Sequence, residues 1–395
     1  MPSVGELAAQ LIESTEPSEE RVLSKATALM DNSPYGPRPE FSGSGDFYTE
    51  LKHRVNEFVS EPTRAAKARR ALHRKAAVLF TWAAGSWYLL MFQSHTWWLA
   101  VLWVVSLALA IAGIGFSVVH DANHGAWSAN PRANRAMRWA FDLIGGSSYV
   151  WRMKHNVLHH TYTNVAGIDD DIEVLPLARF APEQPRRWFH RFQHIYLWPM
   201  YGLVALKWHT SGDFESLIGG HICETPIAWP KGKDLAGFWI GKAAFFTWSL
   251  FIPLMFHAWW QVVVIYAVGS FVLGQTMTVT FQLAHCVEEA EFPSRAQLHE
   301  QGKVDWARHQ VETTVDFAQR NPFLTYYMGG LNFQIEHHLF TKVCHTHYPS
   351  IAPIVREVCE KYGVHYSAHP TIWKAISSHT RWLYRMGHQE MAPAS

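Results

Sequence analysis

The chain has 395 residues, with Lys+Arg 34 against Asp+Glu 33 and a net charge of +1. A balance this even, with no acidic tail, gives no support for a nucleic-acid partner. The four cysteines, Cys223, Cys286, Cys344 and Cys359, form no C-x-x-C pair, which argues against a zinc ribbon or a built-in iron–sulfur cluster and fits a reducing compartment.

The first twenty residues are polar and acidic and lack a basic segment before an apolar run, so they do not read as a secretory signal. Residues 1–60 are expected to form an N-terminal cytoplasmic arm, with the Pro/Gly/Ser-rich piece 33–45 as a linker to the body. The body is expected over 61–380, and a tail over 381–395. The mean hydropathy of -0.09 resembles that of a soluble protein, but the average hides a division. Residues 76–119 contain no Asp, Glu, Lys or Arg, and neither do residues 243–287. One bilayer crossing needs about 20 apolar residues at about 1.5 Å rise each. Each stretch therefore predicts two crossings joined by a tight turn, at 93–96 and 257–261, where flanking aromatic residues suit the headgroup level. Ordinary core helices are much shorter than these runs. Residues 195–206 are apolar but short and interrupted by Pro199, which predicts an interfacial helix.

Arg64, Lys67, Arg69, Arg70, Arg74 and Lys75 precede the first hairpin, and both hairpin turns lack Lys and Arg. The positive-inside rule then places the turns outside and both termini in the cytoplasm, with the regions 120–240 and 288–380. The expected architecture is an all-α integral membrane protein: four transmembrane helices in two hairpins under a cytoplasmic helical cap.

Histidines cluster in that cap. His120 and His124 lie in HDANH, His155, His159 and His160 in HNVLHH, and His337 and His338 in QIEHH. Spacing of four places two side chains on one helix face. His160 should point about 100° round from His159, towards a second metal rather than the first. Imidazole binds Zn, Cu, Fe and Ni alike, so ligand type alone does not name the metal. His120 ends the first uncharged stretch and His285 the second, so all the clusters converge on one membrane boundary. An ionisable residue there is a functional candidate.

HDANH, HNVLHH and QIEHH resemble the three histidine boxes of the membrane fatty acid desaturases. The segment LNFQIEHHLF and the following HYPSIAPIVREVCEKYGVHY are similar to the C-terminal region of front-end desaturases and their bacterial relatives. The resemblance spans about residues 40 to 370. It implies a four-helix membrane fold whose cap holds two non-haem irons that activate O2, with the box histidines as ligands. It also implies a histidine between the last span and the third box, a position filled here by His285. HNVLHH has three residues between its first and second histidine, where many eukaryotic front-end enzymes have two. Gln334 stands where stearoyl-type enzymes have a histidine. No HPGG-like motif of a fused cytochrome b5 domain occurs in residues 1–60, so the electron donor, a ferredoxin or cytochrome b5 with its reductase, is expected to be separate.

The reaction so implied is O2-dependent desaturation of a long acyl chain carried on CoA or a lipid in a bacterial inner membrane. An acyl hydroxylase on the same scaffold is the alternative, since both reactions begin with one hydrogen abstraction. A zinc hydrolase would use three protein ligands on one metal, fewer than His120, His124, His155, His159, His160, His285, His337 and His338 supply. A metal transporter would carry its histidines at mid-membrane. Partners should fix each imidazole tautomer: Asp121 and Glu336, inside boxes, are candidates, and the acidic run 169–171 suits either this role or a solvated loop. An amide such as Gln334 more plausibly holds a water than a metal. Arg152, Lys154, Arg186 and Arg187 are candidates for the donor's docking surface.

Overall fold

A computed structural model describes residues 33–42, 45–302 and 304–389. The rest of the expected arm and the end of the expected tail lie outside the described residues. Helix α1 (Asp46–Val59) carries Phe47, Leu51 and Val55 on one buried stripe, the four-residue spacing of a helix face. Helix α2 (Pro62–Phe92) starts where Glu61 accepts from the backbone N–H groups of Thr63 and Arg64 and Pro62 fills the first turn. It turns at residues 93–96 into α3 (Trp97–Ile114), which continues through a π-helical turn, Gly115–Val119, into His120–His124. Helix α4 (Pro131–Leu143) follows, then α5 (Ser148–Trp151), which widens into a π-helical segment, Arg152–His159. Helices α6 (Gln193–Met200) and α7 (Val204–Thr210) flank a tight turn, Tyr201–Leu203. Helix α8 (Gly232–Phe246), extended to Leu254 by further helical turns, leads into α9 (Trp259–His285). After it come α10 (Trp306–Glu312), α11 (Gln334–Leu339), α12 (Tyr348–Tyr362) and α13 (Ile372–His388).

Among the described residues three helical stretches are long and apolar enough to cross a bilayer: Trp97–His124, Gly232–Leu254 and Trp259–His285. The expected fourth, α2, falls short on this measure because it is charged through Lys75. The uncharged remainder, 76–92, is shorter than the roughly 20 residues a crossing needs. The first hairpin turn falls at the expected 93–96, whereas the second lies at 255–258, two residues earlier than expected, because Trp259–Gln261 already form the first turn of α9. The two turns are tied together where His257 Nε2 donates to the Met91 carbonyl at 2.9 Å. Helices α3 and α9 pack on each other, and α9 also packs on α7 and the 201–203 turn. That crossing is close: a Cβ on Gly274 would lie 2.6 Å from the Gly202 carbonyl oxygen. The 195–206 segment buries Leu197, Tyr201 and Ala205 and exposes Ile195 and Leu203, so it has one packed and one open face.

Two boundaries differ from the sequence expectation. The 33–45 piece is no free linker. Arg295 donates to Ser33 Oγ and the Gly36 carbonyl, and Phe41–Ser42 forms a parallel bridge with Val304–Asp305. Helix α13 runs past residue 380 and buries Trp382, Leu383 and Met386, so the expected tail begins inside a packed helix. Helix α1 packs on α12, where Ile351, Val355 and Val358 complete the core. Burying each such side chain contributes about 1.5–3 kcal/mol.

Candidate metal centre

The inner ends of α3 and α9 deliver His120, His124 and His285 to one level, where α5 and α11 meet them with the other two boxes. The ligand nitrogens of His120, His124, His155 and His337 lie within 4.8 Å of one another. Those of His159, His285 and His338 form a second such group. All eight sequence-predicted histidines are brought together, and His160, His337 and His338 form a further such group that joins the other two.

His160 and His159 face different parts of the site. A π-helical segment has a wider turn than an α-helix, and here the His160 N–H bonds the His155 carbonyl five residues back. His160 is thereby turned back over His155, with their Nε2 atoms 3.1 Å apart. Its ring lies 4.6 Å from that of His337 and 4.3 Å from that of His338, between the two groups. His159 instead joins His285 and His338.

Several side chains fix the imidazoles. His159 Nδ1 lies 3.1 Å from both carboxylate oxygens of the fully buried Asp169, which also accepts from the N–H groups of Asn164 and Asp171. Burial works against a proton on His159, but the Asp169 and Asp171 carboxylates outweigh it and raise its pKa to about 9. His338 Nδ1 donates to Gln310 Oε1 at 2.7 Å, and His337 Nδ1 lies 3.2 Å from the Tyr348 hydroxyl. Burial, reinforced by the neighbouring imidazoles, pushes His155, His160, His337 and His338 well below the usual histidine range, so these rings are neutral. Trp151 stacks on His155 at 4.2 Å.

Of the candidate partners, Gln334 meets the centre directly, its Nε2 being 3.0 Å from His285 Nε2. Asp121 instead bonds His345 Nδ1 at 2.8 Å, and His345 Nε2 in turn lies 3.1 Å from Lys75 Nζ. Glu336 turns away from the histidines to Tyr366, whose hydroxyl lies 3.0 Å from it and 2.7 Å from Asp316. Burial and the Asp316 charge push Glu336 well above the carboxylate range. Sequence reasoning did not find Trp151, Gln310 or Tyr348. None has a spacing that sets it apart, and each reaches the centre through tertiary packing.

The donor set fits metal ions. Among the described residues, the buried Nε2 atoms of His124, His337 and His338 have no hydrogen-bond partner. A buried polar atom left so costs about 1–3 kcal/mol. For His337 and His338 the Nδ1 atom is engaged behind the ring, so Nε2 faces the cluster as a free lone pair.

Apolar helices ending in eight buried imidazoles define a membrane protein with a polyhistidine centre compatible with metal binding. The sequence model of the family described as "Fatty acid desaturase" matches residues 95–370, and the chain belongs to that family. It is 36% identical to the sn-1 linoleoyl-lipid 6-desaturase of Arthrospira platensis, over 88% of this chain and 94% of the relative. A protein of the same description from Synechocystis is 34% identical, over 89% and 98%. The acyl-lipid (8-3)-desaturase of Physcomitrium patens is 35% identical, over 87% and 72%. The chain is a fatty acid desaturase, an oxidoreductase that introduces a double bond into a fatty acyl group.

Proposed function

We propose that the two histidine groups hold two iron ions: one by His120, His124, His155 and His337, the other by His159, His285 and His338, with His160 between them. The observation that carries this reading is the gathering of these histidine nitrogens within 4.8 Å in each group, with the buried Nε2 atoms of His124, His337 and His338 left without a partner. Bound there, the irons supply the oxidising power towards an unactivated methylene that no side chain has. The overall balance is –CH2–CH2– + O2 + 2 e⁻ + 2 H⁺ → –CH=CH– + 2 H2O.

The chain's own residues do the rest. Asp169, Gln310 and Tyr348 hold the imidazole orientations from behind. Gln334 lines His285 and suits a held water. Asp121 acts at one remove, through His345. The Trp151 ring covers His155 and keeps bulk water from that side.

The substrate is a long acyl chain on a membrane lipid, as the names of the relatives suggest, and electrons come from a ferredoxin or cytochrome b5 with its reductase. Helix α2 completes a fourth crossing by tilting its charged half into the cytoplasmic boundary, with both termini and the centre on the cytoplasmic side. Of the cations expected to receive the donor, Arg186 and Arg187 are exposed, whereas Lys154 is engaged by Asp170 at 2.8 Å. The test is expression in a host with a simple lipid profile, followed by fatty acid analysis with double-bond localisation. A new unsaturated acyl chain, absent with His337→Ala, is expected. Accumulation of a hydroxy acid in place of the alkene would overturn the desaturase reading in favour of a hydroxylase.

A further inference from the structure

Asn164 closes the run HHTYTN that begins with His159 and His160. It is 1% exposed, and its backbone lies in the left-handed region, at φ 59°. Few residues accept that conformation readily: glycine, and the short polar Asn and Asp. Of these only Asn carries side-chain N–H donors. Both properties are used here. The Asn164 backbone N–H donates to Asp169 Oδ2 at 2.9 Å, on the same carboxylate whose two oxygens lie 3.1 Å from His159 Nδ1. Asn164 Nδ2 donates to three carbonyls, those of His285 at 3.1 Å, Glu291 at 3.1 Å and Thr313 at 3.2 Å.

The His285 carbonyl needs such a partner. His285 is the last residue of α9, and the last four carbonyls of a helix meet no donor within it. The Glu291 and Thr313 carbonyls belong to the segments that run beside this helix end. There the Glu291 N–H bonds the Glu312 carbonyl, and the Val315 N–H bonds the Ala284 carbonyl, each at 2.9 Å. One buried amide thus joins the end of α9, the segment after it and the segment after α10.

Two of the three histidines of the second group are held through Asn164: His159 by way of Asp169, and His285 by its own carbonyl. Their rings lie 4.6 Å apart, and they are 4.9 and 5.0 Å from the ring of His338. Among the described residues Asn164 makes no hydrogen bond to His120, His124, His155 or His337, the members of the first group.

We propose that Asn164 is a positioning residue for the second group alone, fixing His159 against His285 and so setting how tightly that group holds its iron. The inference rests on the two-iron reading above.

The test uses the full chain in lipid nanodiscs, loaded with isotopically enriched iron. Iron release against rising chelator is followed by metal analysis and Mössbauer spectroscopy. The unaltered protein should hold about two irons. Asn164→Gly keeps the left-handed backbone and removes the donors. One iron should then leave at roughly ten- to hundredfold lower chelator concentration, the cost of losing an outer partner of a metal ligand. The other should leave where it does in the unaltered protein, and its spectrum should be unchanged. A merely structural role would release both irons together. Asn164→Asp has the same size and tolerates the same backbone, but it places acceptors where the donors were. It should show the same selective loss, and it carries the test if Asn164→Gly does not fold. Two irons released together, or both retained as in the unaltered protein, would overturn the proposal and leave the two-iron reading standing. Fewer than two irons in the unaltered protein would overturn that reading, and the proposal with it.

Discussion

Asp169 is the residue on which the orientation of His159 rests. It is fully buried, and two backbone N–H groups and the His159 ring converge on its carboxylate. Removing an orienting carboxylate of this kind costs about 10–100-fold in metal affinity. Asp169→Asn should therefore lose iron to a chelator at concentrations the unaltered protein withstands, and equal retention in both would contradict the role. A second prediction separates His285 from its neighbour Gln334. His285→Ala should lose iron and product to the same degree as His337→Ala, while Gln334→Ala keeps part of its iron. Full occupancy in His285→Ala would remove it from the centre. At this scale the histidines were legible because imidazole runs at one membrane boundary have few other uses. Asp169 was half legible, since an acidic run also suits a solvated loop. Gln310 and Tyr348 were not legible, because they come from α10 and α12, whose approach to the boxes is a property of tertiary packing.

Among the elements, the π-helical segment Arg152–His159 decides which histidine faces which group. Sequence spacing assumes about 3.6 residues per turn, and the wider π turn brings His160 back over His155. Nothing in HNVLHH announces the widening, so the approach of His160 to His155 was illegible, while the angle between His159 and His160 and their membership in the centre could be read. The uncharged stretches made both hairpins readable, because charge is costly in hydrocarbon. They left α2 ambiguous, because its charged and apolar halves form one helix. The Gly202–Gly274 contact sets how closely the 201–203 turn approaches α9. Gly274→Leu places side-chain atoms against the Gly202 carbonyl and should cost about 1–3 kcal/mol, read as a lower melting temperature in detergent. Gly85→Leu, where a Cβ meets nothing within 4 Å, is the matched control. Equal melting temperatures for the two variants would contradict the close crossing.

For the whole molecule, the hairpins act as a mount. They bring His120, His124 and His285 from two different helices to one level, where the histidines of the other two boxes meet them. The chain shows no haem or iron–sulfur motif in its sequence, so turnover should depend on an added ferredoxin or cytochrome b5 system. Product formed from NADPH and purified enzyme alone would contradict this. The central claim is that the two buried histidine groups each hold one iron. Metal analysis of the purified protein tests it most directly. The account predicts about two irons per chain in the unaltered protein, and a loss of iron in His337→Ala without loss of membrane insertion. Stoichiometric zinc with no iron, or full iron in His337→Ala, would contradict it.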